Sequence, residues 1–352
     1  MEEWKKGEEI TAAIRAAVAD DSRRAVIRGK YEISEAIRIP SRFTLVLRDC
    51  HLRLADGCFC NLFINEHCDT PSGRCCDGTD RDIHIVGEGR AVLDGGRYNG
   101  LSEKTQNTNG LPPIWKNNLL LFANVDGFSV TGIHCRNQRH WALNFIDCRN
   151  GVLRDIDFCS DHTAINAQGE QYDRLLRSAY RDILVKNSDG IDIRRGCHDI
   201  LIENITGFTE DDTVALTGLC GDLERHFGVE ELPSDICRIT VRNVTSAAYC
   251  TGVRLLNQGG VKLYDILIDG VRDTGLECPY LDRGLCAVRI GDTHLYGTRH
   301  ATREETHHIT VKNVHGNGVC AIALAGDMDA LTLENVTCGE NTRLLQDDRT
   351  VV

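Results

Sequence analysis

Asp199-Ile200-Leu201-Ile202-Glu203-Asn204 is the stretch that decides the fold, because it returns along the chain in recognisable variants. Asp182-Ile-Leu-Val-Lys-Asn187 precedes it, and Ile239-Thr-Val-Arg-Asn243, Asp265-Ile-Leu-Ile-Asp269, Ile309-Thr-Val-Lys-Asn313 and Leu331-Thr-Leu-Glu-Asn335 follow. Apolar and polar residues alternate within each copy, the period of a strand with one buried face. Strand pieces return at intervals of roughly 17 to 26 residues where no loop intervenes, within the period range of stacked repeats. Leucine-rich repeats share that period, but they need a Leu-rich consensus and usually a helix per repeat, and neither is present. The expected fold is therefore all-β, a single-stranded right-handed parallel β-helix. Asn204, Asn243, Asn313 and Asn335 read as scaffold, since Asn tolerates a left-handed turn and its amide can bond to the next coil.

A solenoid keeps one continuous core however many turns it adds, so the 352 residues are read as a single domain. Residues 1–24 form an N-terminal cap, 25–340 the coils with their loop inserts, and 341–352 a C-terminal tail. Within the cap, Ile10, Ile14 and Val18 stand four apart among good helix formers, which predicts a short amphipathic helix over 8–20. It would shield an end that otherwise exposes strand edges and apolar interior. Inserts at 97–118, 160–181, 219–236, 271–285 and 292–307 would build the walls of a groove.

Carboxylates cluster on two of these turns: Asn187-Ser188-Asp189-Gly190-Ile191-Asp192, and then Glu210-Asp211-Asp212-Thr213. Neighbouring parallel strands lie about 4.8 Å apart, so acids at matching positions of successive coils would interact on one face. Like charges that close raise one another's pKa, which lets one carboxyl stay protonated while others remain ionised. That division suits cleavage of a glycosidic bond, where one acid protonates the leaving oxygen and another activates water. Consecutive strand residues point to opposite faces, so Asp211 and Asp212 can share the site only if they sit in a bend before the alternating Val214-Ala215-Leu216.

These residues resemble the polygalacturonases and their relatives in glycoside hydrolase family 28, which are right-handed parallel β-helices. Asn187-Ser188-Asp189-Gly190-Ile191-Asp192-Ile193 looks like the family's Asn-Thr-Asp-Gly-Ile-Asp-Ile segment, and Glu210-Asp211-Asp212 stands where the family has Gly or Gln followed by Asp-Asp. Trp141-Ala-Leu-Asn144 is similar to an upstream coil of the family. The resemblance implies Asp211 as general acid, with Asp189 and Asp212 holding the attacking water. Two coils depart from it. Where the family carries Gly-His-Gly this chain has Ser246-Ala-Ala-Tyr249-Cys250-Thr-Gly252, and where it carries Arg-Ile-Lys the chain reads Arg289-Ile290-Gly291. Arg254 supplies a second cation. An Arg clamps a carboxylate with two hydrogen bonds where Lys is a point charge, so the acid machinery transfers better than the substrate.

The expectation is an inverting glycoside hydrolase acting on a short, uronic-acid-containing, pectin-type oligosaccharide. Asp189, Asp211 and Asp212 are its catalytic residues, and Arg254, Arg289, Tyr249, Asn187, Trp141 and His162 its substrate-binding candidates. A uronide lyase or epimerase, leaning on the two arginines, and a non-catalytic carbohydrate-binding β-helix are the alternatives. His140 and His294 also lie near groove loops and are read as solvated or structural. No cofactor is called for, and no nucleotide loop, zinc-protease or nucleophile-elbow motif stands out. Net charge −12, from 40 basic against 52 acidic residues, disfavours nucleic acid and anionic membranes as partners. Residues 1–24 hold no apolar signal core, which reads as a cytoplasmic protein. The 17 cysteines are read as mostly free, buried thiols, with Cys135, Cys148, Cys286, Cys320 and Cys338 serving as small inward residues. Cys58, Cys60, Cys68, Cys75 and Cys76 with His67 form a denser group whose spacing lacks the usual zinc knuckles, so no metal is assigned.

Overall fold

The structure, a computed structural model, describes residues 3–96, 113–138, 141–160, 164–165, 171–172, 189–275, 284–291, 299 and 301–349. Two large sheets of eleven and ten strands, parallel throughout, run the length of the molecule. Each coil gives one long strand to the first sheet and one short strand to the second. His198–Thr209 pairs with Arg149–Cys159 on one side and Ile236–Ala248 on the other. Val214–Gly218 lies between Ile191–Ile193 and Thr251–Asn257. This is the right-handed parallel β-helix that the repeated phrase predicts.

The phrase itself makes the corners. Two residues of positive φ bracket it in each long strand: Asp199 (56°) and Asn204 (58°), Asp265 (54°) and Gly270 (85°), His308 (52°) and Asn313 (58°). Asn and Asp tolerate this region better than other residues with a Cβ, and glycine enters it freely. The side-chain amides then link the coils. Asn204 donates to Asp155 Oδ1 at 2.9 Å and Asn243 to Asn204 Oδ1 at 3.2 Å. Asn313 donates to Asp269 Oδ1 and Asn335 to Asn313 Oδ1, both at 2.7 Å. Between the corners, Ile200 and Ile202 face inward and are buried, as are Ile239 and Val241, Ile266 and Ile268, and Ile309 and Val311. Each such burial stabilises by about 1.5–3 kcal/mol relative to exposure.

The helix α1 (Glu8–Ala19) caps the first coils with Ile10, Ile14 and Ala17. The opposite end is less covered, with Leu345 42% exposed. Residues 341–352, read as a tail, contain the strand Arg343–Asp348, which pairs with Cys320–Ala325 and extends the short sheet by one coil. A second helix, α2 (Asp222–Phe227), lies in the insert 219–236. It is too short to show a period and was not expected from the sequence.

All 16 described cysteines are free, and Cys135, Cys148, Cys286 and Cys320 are buried while Cys338 is half-buried. Burial pushes the Cys50 thiol up to about 12, as expected of an inert packing residue. Within the 58–76 group Cys58 and Cys60 meet, Sγ to Sγ at 3.5 Å, while Cys68 is buried elsewhere, Cys75 and Cys76 are exposed, and the His67 ring pairs with Asp80 at 2.9 Å. Among the described residues, no helix is long and apolar enough to cross a membrane.

The amide ladder predicts a ranking at Asn243. Asn243→Val loses the amide bond and puts a β-branched residue at φ 55°, so it should cost about 2 kcal/mol in urea unfolding. Asn243→Gly, losing the bond without the strain, should cost about half that. Equal costs would show that left-handed strain is not what this position imposes.

Candidate active site

Register in the short sheet assembles the acids. The amide of Gly190 donates to Asp212 O at 2.9 Å, that of Ile191 to Thr213 O at 3.0 Å, and that of Thr213 to Thr251 O at 2.9 Å. Asp189, Asp212 and Thr251 therefore stand at the entry of successive short strands. Asp189 Oδ1 also accepts the Asp212 backbone N–H at 3.0 Å, which ties one carboxyl to the next coil. Gly190 makes the approach feasible, since a Cβ there would lie 2.5 Å from Thr213 O and 2.9 Å from the Phe158 ring. Glu210 and Asp211 form the expected bend before Val214–Gly218. Asp211 is half-buried and Asp212 is buried, and the Asp212 carboxylate faces Arg254 Nη1 at 3.4 Å. One ligand atom each of Asp211, Asp212 and Cys250 lies within 4.8 Å of the others.

Burial first, and then the charges of Asp192, Asp211 and Asp212, push the Asp189 carboxyl far above its ordinary value. Burial likewise raises Asp212 to about 7, with Arg254 and a hydrogen bond from Thr251 pulling the other way. Asp192 rises to about 6 for the same reason, held back by Arg194 and by its hydrogen bond with Asp189. Their interaction raises Asp189 and lowers Asp192, so of the two Asp189 is the one favoured in its neutral form. Among the described residues four carboxyls thus face two guanidiniums, one of them shared with Glu224, and a buried cluster with that imbalance retains protons near neutrality. The Cys250 thiol, itself raised by burial, hydrogen-bonds to Asp211.

Arg194 anchors the array. Its Nη2 meets Asp192 Oδ1 at 3.0 Å, its Nη1 meets Glu224 Oε1 of α2 at 2.8 Å, and its guanidinium lies 4.1 Å over the Trp141 ring. Trp141, 7% exposed, spends that ring face on Arg194. On the far side of the acids, Arg254 pairs in register with Arg289, which is half-buried. Tyr249 is also half-buried, its backbone N–H bonded to Thr209 O at 3.1 Å. Asn187, His162, His140 and His294 lie outside the described residues.

Residues 79–223 match the family model of glycosyl hydrolases family 28. The family 28 match contains Asp189, Asp192, Asp211 and Asp212 and stops before Glu224, Cys250, Arg254 and Arg289. No curated protein matches the chain by sequence. Solved structures share the fold at low identity. An exopolygalacturonase from Thermotoga maritima is 12% identical over 98% of this chain and 88% of its own, at a TM-score of 0.50. An endo-xylogalacturonan hydrolase from Aspergillus tubingensis is 12% identical over 95% and 91%, at 0.52. A mutant tailspike protein of E. coli bacteriophage HK620, in complex with a pentasaccharide, is 14% identical over 97% of this chain and 61% of that one, at 0.57.

Asp192, Arg194, Glu224, Cys250 and Thr251 belong to the site but were not singled out from the sequence. Asp192 was legible as the second acid of the Gly-Ile-Asp segment matched to family 28. Glu224 carried no signal, because it reaches Arg194 across an insert of no fixed pattern.

The raised carboxyls set a sign for the pH dependence of stability. A group whose folded pKa exceeds its unfolded value binds more protons when folded, so its contribution is fully present below about pH 4. It is lost as pH climbs toward the folded pKa. Asp189→Asn mimics the neutral acid and removes this loss. The variant should match wild type below about pH 4 and exceed it by about 1 kcal/mol or more at pH 7 in urea unfolding. A constant difference across that range would show that Asp189 titrates alike in both states.

Proposed function

We propose that this chain is an inverting glycoside hydrolase that cleaves a short, uronic-acid-containing, pectin-type oligosaccharide. The observation that carries the reading is the convergence of Asp189, Asp211 and Asp212 in a cluster that keeps protons near neutrality. The family 28 match over the same acids supports it.

In this reading Asp211, the most accessible of the three, gives its proton to the glycosidic oxygen as the bond to the anomeric carbon breaks. A water held by Asp189 and Asp212 attacks the opposite face of that carbon and passes its proton to the ionised carboxylate. One product leaves with the hydroxyl from Asp211's proton, the other with the hydroxyl from water, and the anomeric configuration inverts. Asp192, whose charge Arg194 supports, favours the neutral form of Asp189. Arg289, in register beyond Arg254, is where a uronate carboxylate would meet a guanidinium. Arg254, buried and paired with Asp212, supports the hydrolase over the lyase, which would need it for an enolate.

The test is to incubate the protein with uronide and neutral oligosaccharides and follow the products by mass and by proton NMR of the anomeric centre. The expected result is gain of one water with inversion, and a fall of about 10²–10⁴ in kcat for Asp211→Asn with the fold intact. Products lighter by one water, with ultraviolet absorbance, would replace the hydrolase by the lyase.

A further inference from the structure

Among the described residues, the outward row of the short sheet is closed at one end only. On the N-terminal side of the acids it is formed by Ile64, Leu121 and Asn144, which pair in register and are 3%, 0% and 0% exposed. Asp192, Ala215 and Arg254 continue it across the site, all buried. Beyond them Arg289, Ala323 and Gln346 are half-buried. Two apolar residues facing away from the coil interior would not persist uncovered, and α2 is what covers them. Leu223 and Phe227 of α2 join Ile64, Leu121, Trp115 and Trp141 in a second apolar cluster outside the main core. Trp115 stacks on His226 at 5.2 Å and meets Phe227 edge-on at 6.3 Å.

This cover is fastened at both ends. Glu224 Oε2 accepts the Gly221 N–H at 2.9 Å, while its Oε1 holds Arg194 and through it Asp192. Val229 N–H bonds to Asp147 Oδ2 at 2.7 Å, and Arg195 bridges Asp147 Oδ1 at 3.1 Å and Val229 O. The insert leaves the chain after Val214–Gly218 yet folds back toward earlier coils, so it lies across the axis along which the acids are stacked.

We infer that α2 is the end wall of a blind pocket, so that the enzyme takes the terminus of a sugar chain and releases one unit size per turnover instead of cutting within the chain. The inference rests on the hydrolase reading and adds to it the mode of attack. Among the described residues, a chain lying along the stacked acids meets Trp141, Leu223 and Phe227 on one side and only the half-buried Arg289, Ala323 and Gln346 on the other. The matched family segment ends at residue 223, inside α2, so Leu223 lies within it and Glu224 and Phe227 lie beyond it.

The wild-type protein tests this without any variant that could fail to fold. A graded series of oligogalacturonides is digested in three forms: unmodified, reduced at the reducing end, and blocked at the non-reducing end. The expected result is a single released size from the first turnovers, with kcat/KM falling at least about a hundredfold, worth about 2.7 kcal/mol, when one of the two ends is blocked and little change when the other is. Mixed sizes at early times, or indifference to both blocks, would overturn the end wall and leave the hydrolase reading standing. No cleavage of this series or of the wider panel would remove the hydrolase reading, and the end wall with it.

Discussion

The constraint on which the rest depends is the parallel register of the short sheet, expressed in one bond: the backbone N–H of Asp212 donating to the Asp189 carboxyl. Stacked parallel strands put matching residues about 4.8 Å apart on a common face. Four carboxyls gathered in that way, with Arg194 and Arg254 as the cations facing them among the described residues, cannot all be ionised in a buried setting. Proton sharing is therefore a consequence of the fold, and it is what the proposed acid-base chemistry draws on.

That arrangement has a cost that the scaffold must offset. Asp189, Asp192 and Asp212 are each destabilised in their charged form, and Asp212 Oδ1 is buried with no hydrogen-bond donor among the described residues. Compensation lies away from the site, in the amide ladder of the long sheet and in the continuous apolar interior, where Phe128 and Phe145 stack at 5.0 Å. The outer cluster under α2 plays a double part. It covers apolar residues that an ordinary solenoid would leave wet, and through Glu224 and Arg194 it fixes the position of Asp192.

The fold was legible because its rule is local. Each copy of the phrase carries its own inward alternation and its own left-handed Asn, so residues such as Ile239, Val241 and Asn243 reveal their places without knowledge of distant neighbours. The three acids were legible for a related reason, since Asp189-Gly190 and Asp211-Asp212 each mark a turn at the entry of a strand. What escaped depends on long-range closure. Nothing near Glu224 says that it will meet Arg194, and nothing near Trp141 says that its ring face will be taken by a guanidinium. Cys250 was noted only as part of the coil that departs from Gly-His-Gly, although its thiol bonds to Asp211. The strand Arg343–Asp348 was missed because its pattern is mostly polar and exposed.

Titration of the aspartate side chains by carbon-13 NMR, with Cγ labelled and assigned through Asn variants, tests the central claim most directly. The account predicts one aspartate of the cluster ionising near pH 7, assigned to Asp212, and another, Asp189, still protonated through neutrality. All four carboxyls titrating together near the ordinary value of about 4 would contradict it.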